Sequence, residues 1–251
     1  EVHLALLKAG RIPDPFVADH ELDVAWIAES DWEFKGVIDV HQGVLEEERV
    51  FLRFDGLDTL AQVILNGKLL GAAANAFATF AWEVKSYLRP GENEILIRFR
   101  SPVNYVKPLN DAQPLLSPGD SIQGGPYLRK APCQWGWDWG PKLPPIGIWK
   151  DAWLEGYSSA KLDTVRLRQE HLFDGRVRIM AEATLQLWGE AIVQLCLTLR
   201  DPSGKTFATT CKFLDGSATA TIEITDPMLW WPNGYGEQDL YEARVSLRTE
   251  E

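Results

Sequence analysis

The chain is poor in the residues that most often advertise chemistry. It has only three cysteines and four histidines, and Cys133, Cys196 and Cys211 lack metal-like spacing. His3, His20, His41 and His171 are dispersed and read as ordinary surface or core groups. An odd cysteine count argues against a disulfide framework and favours a reduced compartment such as a bacterial cytoplasm. Pairing of Cys196 with Cys211 stays open to the fold. Positive charge is scarce as well: 25 Lys and Arg against 36 Asp and Glu leave a net charge of −11. That argues against nucleic acid or an anionic membrane surface as a partner. Apolar runs are broken by charge within a few residues, too short to span a bilayer, so no membrane partner is expected. There is no phosphate-binding loop, no Ser-His-Asp order with supporting motifs, no internal repeat and no low-complexity run, and no cofactor or metal is expected. From Glu1 onward no charged-then-apolar leader can be read.

What the chain does have is a period of two. Val50, Leu52 and Phe54 alternate with Phe51, Arg53 and Asp55, and Ala61, Val63 and Leu65 alternate with Gln62, Ile64 and Asn66. Asn66-Gly67 then supplies a tight hairpin, because both central positions of a type I′ turn need positive φ. Ile95, Ile97 and Phe99 form a third half-buried strand after the turn signal Pro90-Gly91-Glu92-Asn93. Only residues 4–9, stopped by Gly10, invite a short helix. The pattern pauses at Gly156-Tyr157-Ser158-Ser159-Ala160, which predicts a domain boundary. A second series follows: Val177 to Leu187 in steps of two, then Val193, Leu195, Leu197 and Leu199, the turn Asp201-Pro202-Ser203-Gly204, and last Tyr241, Ala243, Val245 and Leu247. The expected fold is all-β, with a jelly-roll-like β-sandwich over 1–156 and an immunoglobulin-like β-sandwich over 160–251. The second would hold about seven short strands.

Aromatic density peaks between Arg129 and Lys150, where Trp135, Trp137, Trp139 and Trp149 crowd around one acid, Asp138. Gly136, Gly140, Pro141, Pro144, Pro145 and Gly147 forbid regular structure there, so the rings are presented from a loop. Indole faces pack on the apolar side of a pyranose, and a neighbouring carboxylate accepts hydrogen bonds from its hydroxyls. The candidate substrate-binding residues are therefore Trp137, Asp138, Trp139, Trp135 and Arg129. Each has a plainer reading. In it Asp138 caps a turn and satisfies loop amides, as aspartates often do, and Trp135 or Trp139 wedges the loop against the sandwich. Arg129 and Lys130 read better as surface groups pairing with acids than as the mouth of a pocket. Trp149 and Trp153 follow a strand alternation and are expected in the core; Trp230 and Trp231 are expected to pack against a neighbouring domain. Asn75 is expected to shape a turn.

The loop, Gly136-Trp137-Asp138-Trp139-Gly140-Pro141 followed by Gly147-Ile148-Trp149-Lys150, resembles that of the family-two glycoside hydrolases, and within them the β-mannosidases. The resemblance continues in Gly10-Arg11-Ile12-Pro13-Asp14-Pro15-Phe16, Asp31-Trp32-Glu33-Phe34, Phe54-Asp55-Gly56-Leu57-Asp58-Thr59, Val63-Ile64-Leu65-Asn66-Gly67 and Leu229-Trp230-Trp231-Pro232-Asn233-Gly234. It implies a longer polypeptide, with further strands before Val2-His3 and a catalytic (β/α) barrel after Glu251. Trp137 and Asp138 match the residues that in this family reach into the barrel's pocket and hold the terminal mannose. The implied partners are a β-mannoside glycan and the barrel of the same polypeptide. Retaining glycosidases need two carboxyl groups about 5 to 5.5 Å apart, which in this family are barrel glutamates. Glu46, Glu47 and Glu48 read as a solvated edge, so no catalytic residue is assigned and the chain alone is expected to be inactive. A stand-alone carbohydrate-binding module, and a family-two galactosidase or glucuronidase, are the alternatives.

Overall fold

The computed structural model describes residues 1–138, 140–188 and 190–249 and divides into two compact units, Glu1–Gly156 and Tyr157–Glu251. The first opens with helices α1 (Val2–Lys8) and α2 (His20–Val24), strand β1 (Trp32–Val40) and helix α3 (Gln42–Glu46). Strands β2 (Arg49–Phe54), β3 (Leu57–Asp58), β4 (Leu60–Leu65), β5 (Lys68–Ala74), β6 (Phe80–Glu83) and β7 (Gly91–Phe99) follow. Helix α4 (Pro102–Ala112), the tryptophan loop, β8 (Gly147–Ile148) and β9 (Ala152–Tyr157) complete the unit. A four-stranded sheet of order β1-β7-β4-β5 and a three-stranded sheet of order β6-β2-β9 share one core, with β3-β8 as a separate pair.

The period of two dictates that core. Val50, Leu52 and Phe54 of β2, Ala61, Val63 and Leu65 of β4, and Ile97 and Phe99 of β7 are all buried, because successive side chains of a strand point to opposite faces. Asn66 and Gly67 have φ of 48° and 78°, the two left-handed residues the hairpin requires. Asn66 also donates from Nδ2 to the Oδ1 of fully buried Asn93, which ties the hairpin to the start of β7.

Helix content exceeds the sequence expectation of one short helix. The largest addition is α4, whose start carries a clear signal: the Ser101 hydroxyl accepts from the Asn104 amide at 3.0 Å and Pro102 fills the first turn. The placement of Trp149 and Trp153 also differs from the core expectation, since they are 39% and 40% exposed. Trp149 lies across the outer surface over Gly56, where a Cβ would come within 2.3 Å of its ring nitrogen, and donates to the Ala76 carbonyl at 2.8 Å. Trp153 carries the Arg53 guanidinium 5.5 Å above its ring. Both rings gain contacts on the outside of the sheet, which alternation alone does not reveal.

The second unit comprises β10 (Ala160–His171), β11 (Val177–Leu187), β12 (Val193–Arg200), β13 (Thr206–Lys212), β14 (Ser217–Ile224) and β15 (Glu242–Thr249). These six strands form two three-stranded sheets, β10-β11-β14 and β13-β12-β15, around Ala181, Leu195, Leu197, Leu199, Ala220 and Ile224. Six strands are thus described where about seven are expected, and residues 226–241 run without a strand, with a bridge from Trp230 to Gln238. Ala243, expected inside, is exposed at the mouth of a cavity of about 650 Å³ between these strands and Trp230 and Trp231. Cys133, Cys196 and Cys211 are all free thiols.

Candidate functional site

The tryptophan loop spans residues 129–147 and is mounted at both feet. At the first, the Arg129 carbonyl accepts from the Ala76 amide at 2.9 Å, and Asn75 shapes that neighbouring turn by accepting from the Phe77 amide at 2.9 Å. At the second, the Ile146 carbonyl accepts from the Val2 amide of α1 at 2.9 Å, and Gly147 enters β8 opposite Asp58. Between the feet, Pro132–Trp135 form one 3₁₀ turn and Gly136 reverses the chain with φ of 97°, a conformation that favours glycine. A second reversal follows, in which Gly140 pairs with Trp137 and donates to its carbonyl at 3.3 Å. Pro141, Pro144 and Pro145 have no amide proton to offer a sheet, so the segment stays irregular until β8.

This construction places the predicted residues differently from one another. Trp137 is 40% exposed and Asp138 is exposed at the tip of the second reversal. No described residue hydrogen-bonds to the Asp138 carboxylate, so it caps none of the loop's described amides. Arg129 is exposed on the wall of a cleft of about 710 Å³, which it shares with Trp137, Phe77 and Ile122. Trp135 is 3% exposed and serves as a wedge rather than a presented ring, packing with Val106 and Leu128 beneath that cleft. Its carbonyl accepts from the Ile122 amide at 2.9 Å, while no described group accepts from its indole nitrogen. Trp139 lies outside the described residues.

Lys130 departs most from expectation. Its side chain is wholly buried, and its ammonium donates to Asp58 Oδ2 at 2.6 Å and to the Pro145 carbonyl at 2.7 Å. Asp58 Oδ1 in turn accepts from the Thr59 hydroxyl. Burial pulls the Lys130 pKa down and the adjacent Asp58 opposes that pull. His3 of α1 is held below the ordinary imidazole value, first by burial and then by the positive charge of Lys130. Sequence reasoning missed this pair because its members are 72 residues apart and neither sits in a local pattern that signals burial. In the second unit, Trp230 and Trp231 are 53% and 48% exposed. Gln238 holds their loop by donating to the Trp231 and Gly236 carbonyls at 3.0 and 2.9 Å.

Residues 1–150 match the family described as glycosyl hydrolase 2 galactose-binding domain-like. Beta-mannosidase B of Emericella nidulans is 34% identical over 259 residues, a match covering 100% of this chain and 30% of that protein. Beta-mannosidase B of Thermothelomyces thermophilus is 35% identical over 254 residues, covering 98% and 29%. Among solved structures, the β-D-mannosidase of Dictyoglomus thermophilum superposes with a TM-score of 0.88 at 33% identity, over 98% of this chain and 31% of that one. An exo-chitosanase of Amycolatopsis orientalis, with TM-score 0.68 at 17% identity over 99% of this chain and 28% of that one, shares the fold alone. The chain thus spans about 30% of the length of the relatives it matches. With the match running from residue 1 to residue 150, the chain belongs to the glycosyl hydrolase 2 family.

Proposed function

We propose that this chain is the non-catalytic part of a retaining β-mannosidase that releases terminal non-reducing β-D-mannose, and that its loop supplies one wall of the sugar site. The observation that carries the reading is Asp138: an exposed carboxylate with no described hydrogen-bond partner, beside the half-exposed ring of Trp137, on a loop anchored at both feet. A carboxylate left free by its own loop is open to hydroxyl donors, and an adjacent indole covers the apolar face of the ring. Arg129 lies on the neighbouring cleft wall, where it meets a ligand leaving the loop tip. Trp135 acts beneath the cleft as support, so its contribution to binding is indirect.

In this reading the two bond-making carboxyl groups lie on another part of the polypeptide, and the loop stabilises the transition state through hydroxyl contacts. The chain alone leaves the sugar largely solvated and gives no turnover. The test is hydrolysis by the full-length protein of nitrophenyl β-mannoside beside the corresponding galactoside and glucuronide. The mannoside is expected to be cleaved with the highest kcat/KM. Preference for either of the other two, or no turnover of any, overturns the reading.

A further inference from the structure

We infer that Lys130 is the positioning residue of the Trp137–Asp138 loop, a buried clamp that holds the loop's two feet together on the sandwich; this rests on the proposed role of that loop in sugar binding. A lysine side chain with no exposed surface loses its hydration and finds a place only where acceptors replace water. Here the acceptors come from two places that matter for the loop. One is Asp58 of β3, whose backbone pairs with Gly147 of β8 at the second foot. The other is the carbonyl of Pro145, fifteen residues along the chain from Lys130 and within the second foot itself. The Pro145 carbonyl is buried, and such a group needs a donor.

The clamp closes a segment that has few described long-range bonds of its own, namely the Ile122 amide to the Trp135 carbonyl and the Lys142 amide to Glu21 Oε2. Inside it, the amides of Gln134, Gly136 and Gly140 are held only by short-range bonds to Ala131, Cys133 and Trp137. Such turns open readily unless their ends are fixed. An apolar side chain at position 130 would fill the space but leave the Pro145 carbonyl bare. Replacing only one partner would strand a buried charge, which confuses loss of the clamp with loss of the fold.

The experiment is amide hydrogen exchange, read by mass spectrometry, on the full-length protein carrying Lys130→Met with Asp58→Leu, so that both charges leave together. Amides within 131–143 are expected to exchange at least about tenfold faster than in the unsubstituted protein, while those of β7 keep their protection. The kcat/KM for the aryl β-mannoside should fall by about tenfold or more with it. Unchanged exchange in 131–143 overturns the inference, as does equal loosening of β7, which would make the pair a support of the whole sandwich. Faster loop exchange with unchanged kcat/KM also overturns it, provided Asp138→Ala lowers kcat/KM. If Asp138→Ala has no effect either, the proposed function fails and the exchange result alone decides the clamp.

Discussion

Two tryptophan loops of this chain present exposed rings above cavities of similar size, about 710 Å³ in the first unit and about 650 Å³ in the second, yet they are built on different principles. The first is mounted on a buried ion pair, wedged by a buried indole and tipped by a carboxylate without a described partner. The second is closed by its own short-range backbone bonds and by an exposed glutamine, with no buried ion pair described beneath it, and its cavity is walled by Ile179, Leu199 and Ile224, the inner faces of its own strands. Exposed tryptophan therefore does not by itself tell the two loops apart. What distinguishes the first loop is a buried ion pair at its feet and an exposed carboxylate without a hydrogen-bond partner among the described residues.

The sharpest way to break this contrast is to remove one ring from each loop. Trp135→Ala empties a buried site among Val106 and Leu128 and is expected to cost about 3 to 5 kcal/mol. Trp231→Ala, at a half-exposed ring, should cost about 1 to 2 kcal/mol. Urea denaturation of each variant gives both values, and equal losses would erase the distinction. A smaller effect is expected from Gln238→Ala, which removes two exposed bonds and should destabilise the second unit by about 1 kcal/mol. A loss as large as that of Trp135→Ala would mean the second loop is mounted as firmly as the first.

The smallest effect concerns pH. His3 has a folded pKa below its unfolded value, so between the two the unfolded chain binds more protons and stability rises with pH. The first unit should lose stability as pH falls through about 6.5, the ordinary imidazole value. Melting temperatures at about pH 8 and about pH 5 measure the drop, which should shrink in His3→Gln. An unchanged drop would assign it to other groups.

Much of this architecture is legible in the sequence because strands with one buried face write their period directly: Val50-Leu52-Phe54 and Leu195-Leu197-Leu199 are buried as alternation requires. The hairpin at Asn66-Gly67 is legible for the same local reason. What escapes is decided at a distance. Lys130 reads as a surface cation until Asp58 and Pro145 are folded against it, and Trp149 reads as core until Gly56 opens a place for its ring outside. Helix α4 was within reach, since Ser101-Pro102 is a recognisable start, but Pro108 in its interior argues locally against a helix. The exposed tip at Asp138 follows from glycine and proline placement, whereas the burial of Trp135 depends on packing against α4 and Leu128.

The most direct test of the central claim is Asp138→Ala in the full-length protein, assayed on nitrophenyl β-mannoside beside Asp239→Ala in the second loop. The account predicts that Asp138→Ala lowers kcat/KM by about a hundredfold with an unchanged melting temperature, and that Asp239→Ala leaves it within about twofold. An Asp138→Ala enzyme that retains full kcat/KM would contradict it.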